Sequence, residues 1–152
     1  MNLSLSQILI NSEGIQSFRG SQFDGGVIKG CSFQNINFQN CSVNSGLFSQ
    51  VSFYDSYLSQ SRFSNCIFIE CDLSDSHVYE TCFDSCIFLS CKFIKWDTMQ
   101  TTIVHSVFIY GDFRLADFRA GNIANSKIIC PENLDVSSAE KFIVVKDVTN
   151  SQ

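Results

Sequence analysis

The chain repeats itself every five residues. Taking every fifth position from Phe18 gives Phe18, Phe23, Ile28, Phe33, Phe38, Val43, Phe48, Phe53, Leu58, Phe63, Phe68, Leu73, Val78, Phe83, Phe88, Phe93, Thr98, Ile103, Phe108, Phe113, Phe118, Ile123 and Ile128. Only Thr98 interrupts the apolar series. Fourteen of the chain's fifteen Phe fall in this frame, where random placement would put about a fifth of them. A period of five is neither the 3.6 of a helix nor the 2 of a long strand, so the chain must turn after each short extended side.

Within a side, alternation still operates, so the residue two before each central position also points inward. That second slot is small. It holds Ser21, Gly26, Cys31, Cys41, Gly46, Ser56, Ser61, Cys66, Cys71, Ser76, Thr81, Cys86, Cys91, Thr101, Ser106, Gly111, Ala116, Gly121 and Ser126, with Gln16, Ile36, Val51 and Trp96 as departures. Large Phe alternating with small Cys, Ser or Gly fills a narrow tube without voids. The coils above and below then pair through backbone hydrogen bonds at about 4.8 Å.

Over about residues 16–130 the sequence resembles the pentapeptide-repeat family, through motifs such as Cys66-Ile67-Phe68, Cys86-Ile87-Phe88 and Ala116-Asp117-Phe118-Arg119-Ala120. The resemblance implies an all-β fold, a right-handed quadrilateral parallel β-helix with four repeats to a coil, and therefore nearly six coils. The chain carries its own support for four sides. Among residues just before a central position, Val, Ile or Leu occurs only at Val27, Leu47, Ile67, Ile87 and Val107, each twenty residues from the next. Residues 1–15 keep the frame at Leu3 and Ile8 but lose it at Glu13, which suits an N-terminal cap or an imperfect first coil, since an open solenoid end needs covering. Residues 131–152 begin with the lone Pro131. There Ser137 and Glu140 match a capping box ahead of Phe142-Ile143-Val144-Val145, so a short C-terminal cap or helix is expected, although the β-branched run also suits a strand.

Composition narrows the function. No run approaches the roughly 18 apolar residues of a spanning helix, and Met1 to Ile10 lacks the basic start and apolar core of a secretory signal. A cytoplasmic protein without membrane attachment is expected. A net charge of -5 has the wrong sign for direct nucleic-acid binding. Six of the eight Cys occupy the small inward slot. They are read as small buried hydrophobes that stay reduced, and with no CxxC pair no metal or cofactor is expected. His77 and His105 occupy outward positions on different sides, with no pocket to exclude water, so no enzyme activity is expected.

Two surface features remain. One is the aliphatic column, in which Ile69, Leu89, Ile109 and Ile129 join Val27, Leu47, Ile67, Ile87 and Val107 on the same face. It presents roughly 400 Å² of apolar surface, near the upper range for a monomer's largest patch, whose burial is worth on the order of 10 kcal/mol before association costs. The other is Trp96, too large for its slot, followed by Thr98, too polar for its own. This side is expected to bulge or evert, offering Trp96 as a protruding contact. The leading expectation is a non-enzymatic interaction scaffold whose aliphatic face docks a protein partner or a second protomer, with the C-terminal tail as an alternative covering. The resemblance also implies two other roles: a DNA-mimicking binder of DNA gyrase or topoisomerase IV, of the quinolone-resistance or toxin-immunity type, and a translocated bacterial effector or phage protein.

Overall fold

The computed structural model describes residues 2–3 and 17–147; the expectations attached to Ile8, Glu13 and Gln16 lie outside the described residues. The chain is a parallel β-solenoid of about six turns with almost no helix. Successive coils are offset by twenty residues in strict register, as in Phe48↔Phe68 and Phe68↔Phe88. Four faces result, numbered here by the order in which the chain visits them from Ser21.

Face 1 is a sheet of Gln22–Asp24, Ser42–Asn44, Arg62–Ser64, Cys82–Asp84, Thr102–Val104 and Asn122–Ala124, with Asn2–Leu3 at one edge. Face 2 is a second sheet of Val27–Lys29, Leu47–Ser49, Ile67–Ile69, Ile87–Leu89, Val107–Ile109 and Lys127–Ile129, closed at its other end by Ile143–Val145. Faces 3 and 4, centred on Phe33 and Phe38 in their first turn, differ from the equal sides suggested by the period. They form isolated bridges such as Ser52↔Asp72 and Tyr57↔His77 in place of three-residue strands. The cause is the corner that follows. There the third residue after the centre donates its N–H back to the central carbonyl, as Ser56 does to Phe53 (3.1 Å) and Ser61 to Leu58 (3.2 Å). That β-turn bond engages the central carbonyl, while the carbonyl of the residue after the centre still accepts from the coil before, as Ser74 O does from the Asp55 N–H (3.1 Å).

Corners impose a rule of their own. From Asn35 to Cys130, every fifth residue except Ala120 has a φ between 47° and 60°, the left-handed region. Val, Ile and Thr are absent from all of these positions, because a branched Cβ is the worst tolerated there. Asn, Asp, Ser, Gln and Glu dominate instead.

The central residues form the core. On face 2, Phe48, Phe68, Phe88 and Phe108 stack at 4.9, 4.8 and 4.5 Å with ring planes within 11° of parallel. Across the tube, rings meet edge to face, as Phe83 and Phe88 do at 5.5 Å, an arrangement that suits the aromatic quadrupole. The small slot is more than small. Thr81 Oγ1 donates to Leu58 O (2.9 Å), Thr101 Oγ1 to Val78 O (2.6 Å) and Cys86 Sγ to Phe63 O (3.4 Å). Each satisfies the carbonyl of a central residue one coil back, which explains why Ser, Thr and Cys outnumber Ala in that slot.

The tail corrects two expectations. Ser137 does not start a capping box: the cap is Asp135, whose side chain accepts from the Ser137 N–H at the head of a four-residue 3-10 turn, Val136–Ala139. Nor does the described tail fold back over face 2. Phe142 turns into the open end of the tube, edge-on to Phe118 (5.1 Å) and Phe108 (5.7 Å). Lys141 Nζ donates to the carbonyls of Arg119 (3.0 Å) and Gly121 (2.6 Å). Ile143–Val145 then pairs with Lys127–Ile129 and lengthens the sheet by one strand.

Candidate functional site: an aliphatic face

The strand pairings align Val27, Leu47, Ile67, Ile87 and Val107 as one column. Two residues along, Ile69, Leu89, Ile109 and Ile129 form a second column on the same face. Alternation about each buried central residue turns both columns outward. Val27 is 53% exposed, Ile67 38% and Ile87 42%; Leu47, Val107 and the second column are half-buried by their neighbours. The tail contributes to the same face: Ile143 follows Lys127 in the first column and is 59% exposed, and Val145 follows Ile129 in the second. Lys29 gives the second column a polar end, and Lys127 interrupts the first between Val107 and Ile143. The corners beside it carry Gln50, Glu70, Ser90 and Tyr110 on one side and Asn65, Ser85 and His105 on the other.

Trp96 is placed differently from the sequence expectation. It is fully buried, and so is Thr98. The coil neither everts nor bulges its indole outward, because the two residues exchange sizes: the large ring enters the small slot while Thr98 vacates the large one. Trp96 Nε1 donates to Ser76 Oγ (2.9 Å), and Thr98 Oγ1 to Asp117 O (3.0 Å). Trp96 is therefore a core residue and is withdrawn from the contact surface.

The exchange disturbs face 4. Elsewhere on this face Tyr57 N–H bonds to Ile36 O, Leu58 N–H to His77 O and Gln60 N–H to Tyr79 O. The equivalent bonds from Asp97 to Ser76, Val78 to Asp97 and Glu80 to Met99 are not formed, and no bridge joins His77 to Asp97. A groove of about 350 Å³ opens at this step, lined by His77, Tyr79, Lys95, Asp97 and Met99 among others.

The reactive residue types are dispersed. His77 Nε2 lies 3.3 Å from Asp55 Oδ1 and stacks on Tyr57 at 4.7 Å, while His105 Nδ1 lies 3.4 Å from Asp84 Oδ1. Both are open to solvent and stand apart from any buried nucleophile. Among the described residues no group of His, Cys, Asp and Glu is arranged to hold a metal ion. All eight thiols are free; Cys41, Cys66, Cys71, Cys86 and Cys91 are buried, and Cys31, Cys82 and Cys130 half-buried. Burial pushes the Cys41 thiol up. Cys86 and Cys91 are pushed up by hydrogen bonding to Cys66 and Cys71 and by burial, the opposite of what a nucleophilic thiol requires. No helix among the described residues is long and apolar enough to cross a membrane.

Comparison with known proteins agrees with this geometry. Residues 52–88 match the family model for pentapeptide repeats, in eight copies. Two trypsin-treated variants of QnrB1, a plasmid-mediated fluoroquinolone resistance protein, align with TM-scores of 0.65 and 0.64 at 20% and 21% identity. Those alignments cover 72% and 70% of this chain but only 58% and 56% of the QnrB1 chains, less than two thirds of their length. HetL, a pentapeptide repeat protein involved in heterocyst differentiation regulation from the cyanobacterium Nostoc sp. strain PCC 7120, aligns with a TM-score of 0.62 at 11% identity, over 85% of this chain and 68% of HetL. At such identities the likeness is one of fold. No curated protein matches the sequence. The period of five, the four-sided coil in twenty-residue register and these matches together show that the chain is built of pentapeptide repeats.

Proposed function

We propose that the protein is a non-catalytic interaction module that presents face 2 to a protein partner. One observation carries this reading: nine aliphatic side chains stand in two aligned columns on one outward face, a bias that filling the tube does not require. The tail strengthens it by adding Ile143 and Val145 to the patch. A continuous apolar strip rimmed by polar corners has the anatomy of a contact surface. Replacing Ile67 and Ile87 together by Lys places two charges in the middle of the strip and leaves every inward slot unchanged. The variant should lose the partner complex or change oligomeric state. If association and stability both survive, the strip is merely exposed.

A second reading, inhibition or protection of a type II topoisomerase by mimicry of DNA, draws on the fold likeness to QnrB1 and the net charge of -5. Against it, acidic groups on the other faces are interleaved with cations, as in Arg62–Asp84, Arg114–Asp112 and Arg119–Asp117, which flattens the field that a phosphate mimic would need. DNA gyrase supercoiling with and without the pure protein separates the two readings. Inhibition that survives the Ile67→Lys, Ile87→Lys change would favour mimicry by another face.

A further inference from the structure

We infer that the occupant of face 2 is a second copy of this chain, packed face to face with its coils running in the opposite direction. The inference rests on the reading of face 2 as a contact surface and specifies the partner. Three successive rungs carry aliphatic residues at both outward positions: Ile67–Ile69, Ile87–Leu89 and Val107–Ile109. The middle one is also the fourth of the seven strands of the sheet. A two-fold axis along the Ile87–Leu89 strand therefore brings all seven strands of each copy into use. It sets the middle rung against itself and Ile67–Ile69 against the copy's Val107–Ile109.

The surroundings of the patch fit this register. The axis preserves strand direction, so each corner column meets itself in reverse order. Glu70, which accepts from Gln50 Nε2 (3.1 Å), then faces the copy's Tyr110, a phenol 54% exposed. Ser90 faces Ser90, and Asn65 faces His105. Lys127 falls on Leu47 and Lys29 on Val145, where their methylene stems lie over apolar surface and their ammonium groups reach water. No like charges meet. Moving the axis one rung, onto Ile67–Ile69, would set Glu70 against Glu70. Seven strands at about 4.8 Å make a face roughly 30 Å tall, and a width of about 15 Å gives roughly 500 Å² per copy, or about 1,000 Å² in all. That reaches the lower bound of a specific interface, so a reversible, concentration-dependent dimer is expected. Closed two-fold association also leaves no unsatisfied patch to propagate into fibres.

Sedimentation equilibrium over a range of concentrations tests the inference, with melting curves to verify folding. Wild type should show a monomer–dimer equilibrium, and Ile87→Lys should be monomeric yet folded, since Lys127 already occupies the same column. Tyr110→Glu, placed opposite Glu70 twice per dimer, should weaken association by about ten-fold or more. Tyr110→Lys should preserve or tighten it, and Tyr110→Glu combined with Glu70→Lys should restore it. A dimer indifferent to the charge at 110 would overturn this register, and a dimer indifferent to Ile87→Lys would overturn the face. If wild type stays monomeric while Ile87→Lys abolishes binding to a different protein, self-association fails and the contact-face reading stands. If Ile87→Lys changes nothing at all, both fail.

Discussion

Faces 2 and 4 are built from the same repeat and differ in what was altered. On face 2 the inward column is regular, Phe on Phe on Phe, and the variation lies outside, where polar residues give way to aliphatic ones. On face 4 the outward column stays polar, Tyr57, His77, Asp97 and Asp117, and the alteration lies inside, at Trp96 and Thr98. The outward change leaves the ladder complete through seven strands. The inward change breaks it at one step. A solenoid of this kind is thus permissive outward and exacting inward: its surface can be respecified without loss of architecture, whereas an inward exchange of sizes is absorbed only by parting two coils.

The largest effect should come from breaking the regular side. Phe68→Ala removes a ring stacked between Phe48 and Phe88 and should cost about 3 to 5 kcal/mol, read from denaturant or thermal unfolding. Trp96→Ser should cost a similar amount by leaving a void. Thr98→Phe alone should cost about 1 to 3 kcal/mol by overpacking beside the indole. Together they restore the small-then-large order of the other repeats, so the double variant should be more stable than either single one, with a coupling of about 1 to 3 kcal/mol. Simple additivity would mean that the two residues do not compensate each other.

A gentler probe leaves the sequence alone. Amide hydrogen exchange should be at least about ten-fold faster at Val78, Glu80 and Asp97, which lack ladder partners, than at Leu58, Gln60 and Asp117, which have them. Equal protection would mean that the step between His77 and Asp97 is closed in solution. Smallest in energy is the thiol test. Cys66, Cys71, Cys86 and Cys91 should react with a thiol reagent far more slowly in native protein than in denaturant, since all four are buried away from the reagent, and hydrogen bonding and burial push the Cys86 and Cys91 thiols up.

Much of this was legible in the sequence, for a local reason. Each inward slot is filled from within one repeat, so the Phe frame and the small slot predict burial almost residue by residue, and the spacing of Val27, Leu47, Ile67, Ile87 and Val107 predicts their shared face. The corner rule is present in the sequence too, as the absence of Val, Ile and Thr at every fifth position from Gly20 to Cys130, but it is a signal of omission. What escaped depends on contacts between coils. Trp96 is buried because Ser76, twenty residues earlier, accepts its indole N–H and Thr98 yields the space. The carbonyl-capping role of Thr81 or Cys86 links residues 23 positions apart. The tail strand was ambiguous because three β-branched residues take their conformation from Lys127–Ile129, the edge they pair with.

Ile67 and Phe68 are neighbours in the chain and, through alternation, opposites in role, as are Ile87 and Phe88. The most direct measurement compares two double variants, Ile67→Lys with Ile87→Lys and Phe68→Ala with Phe88→Ala, by melting and by sedimentation on the same samples. The outward pair should melt close to wild type and lose association, whereas the inward pair should lose most of its stability. An outward pair that still associates, or that is destabilised as severely as the inward pair, would contradict the assignment of face 2 as a contact surface carried on an independent core.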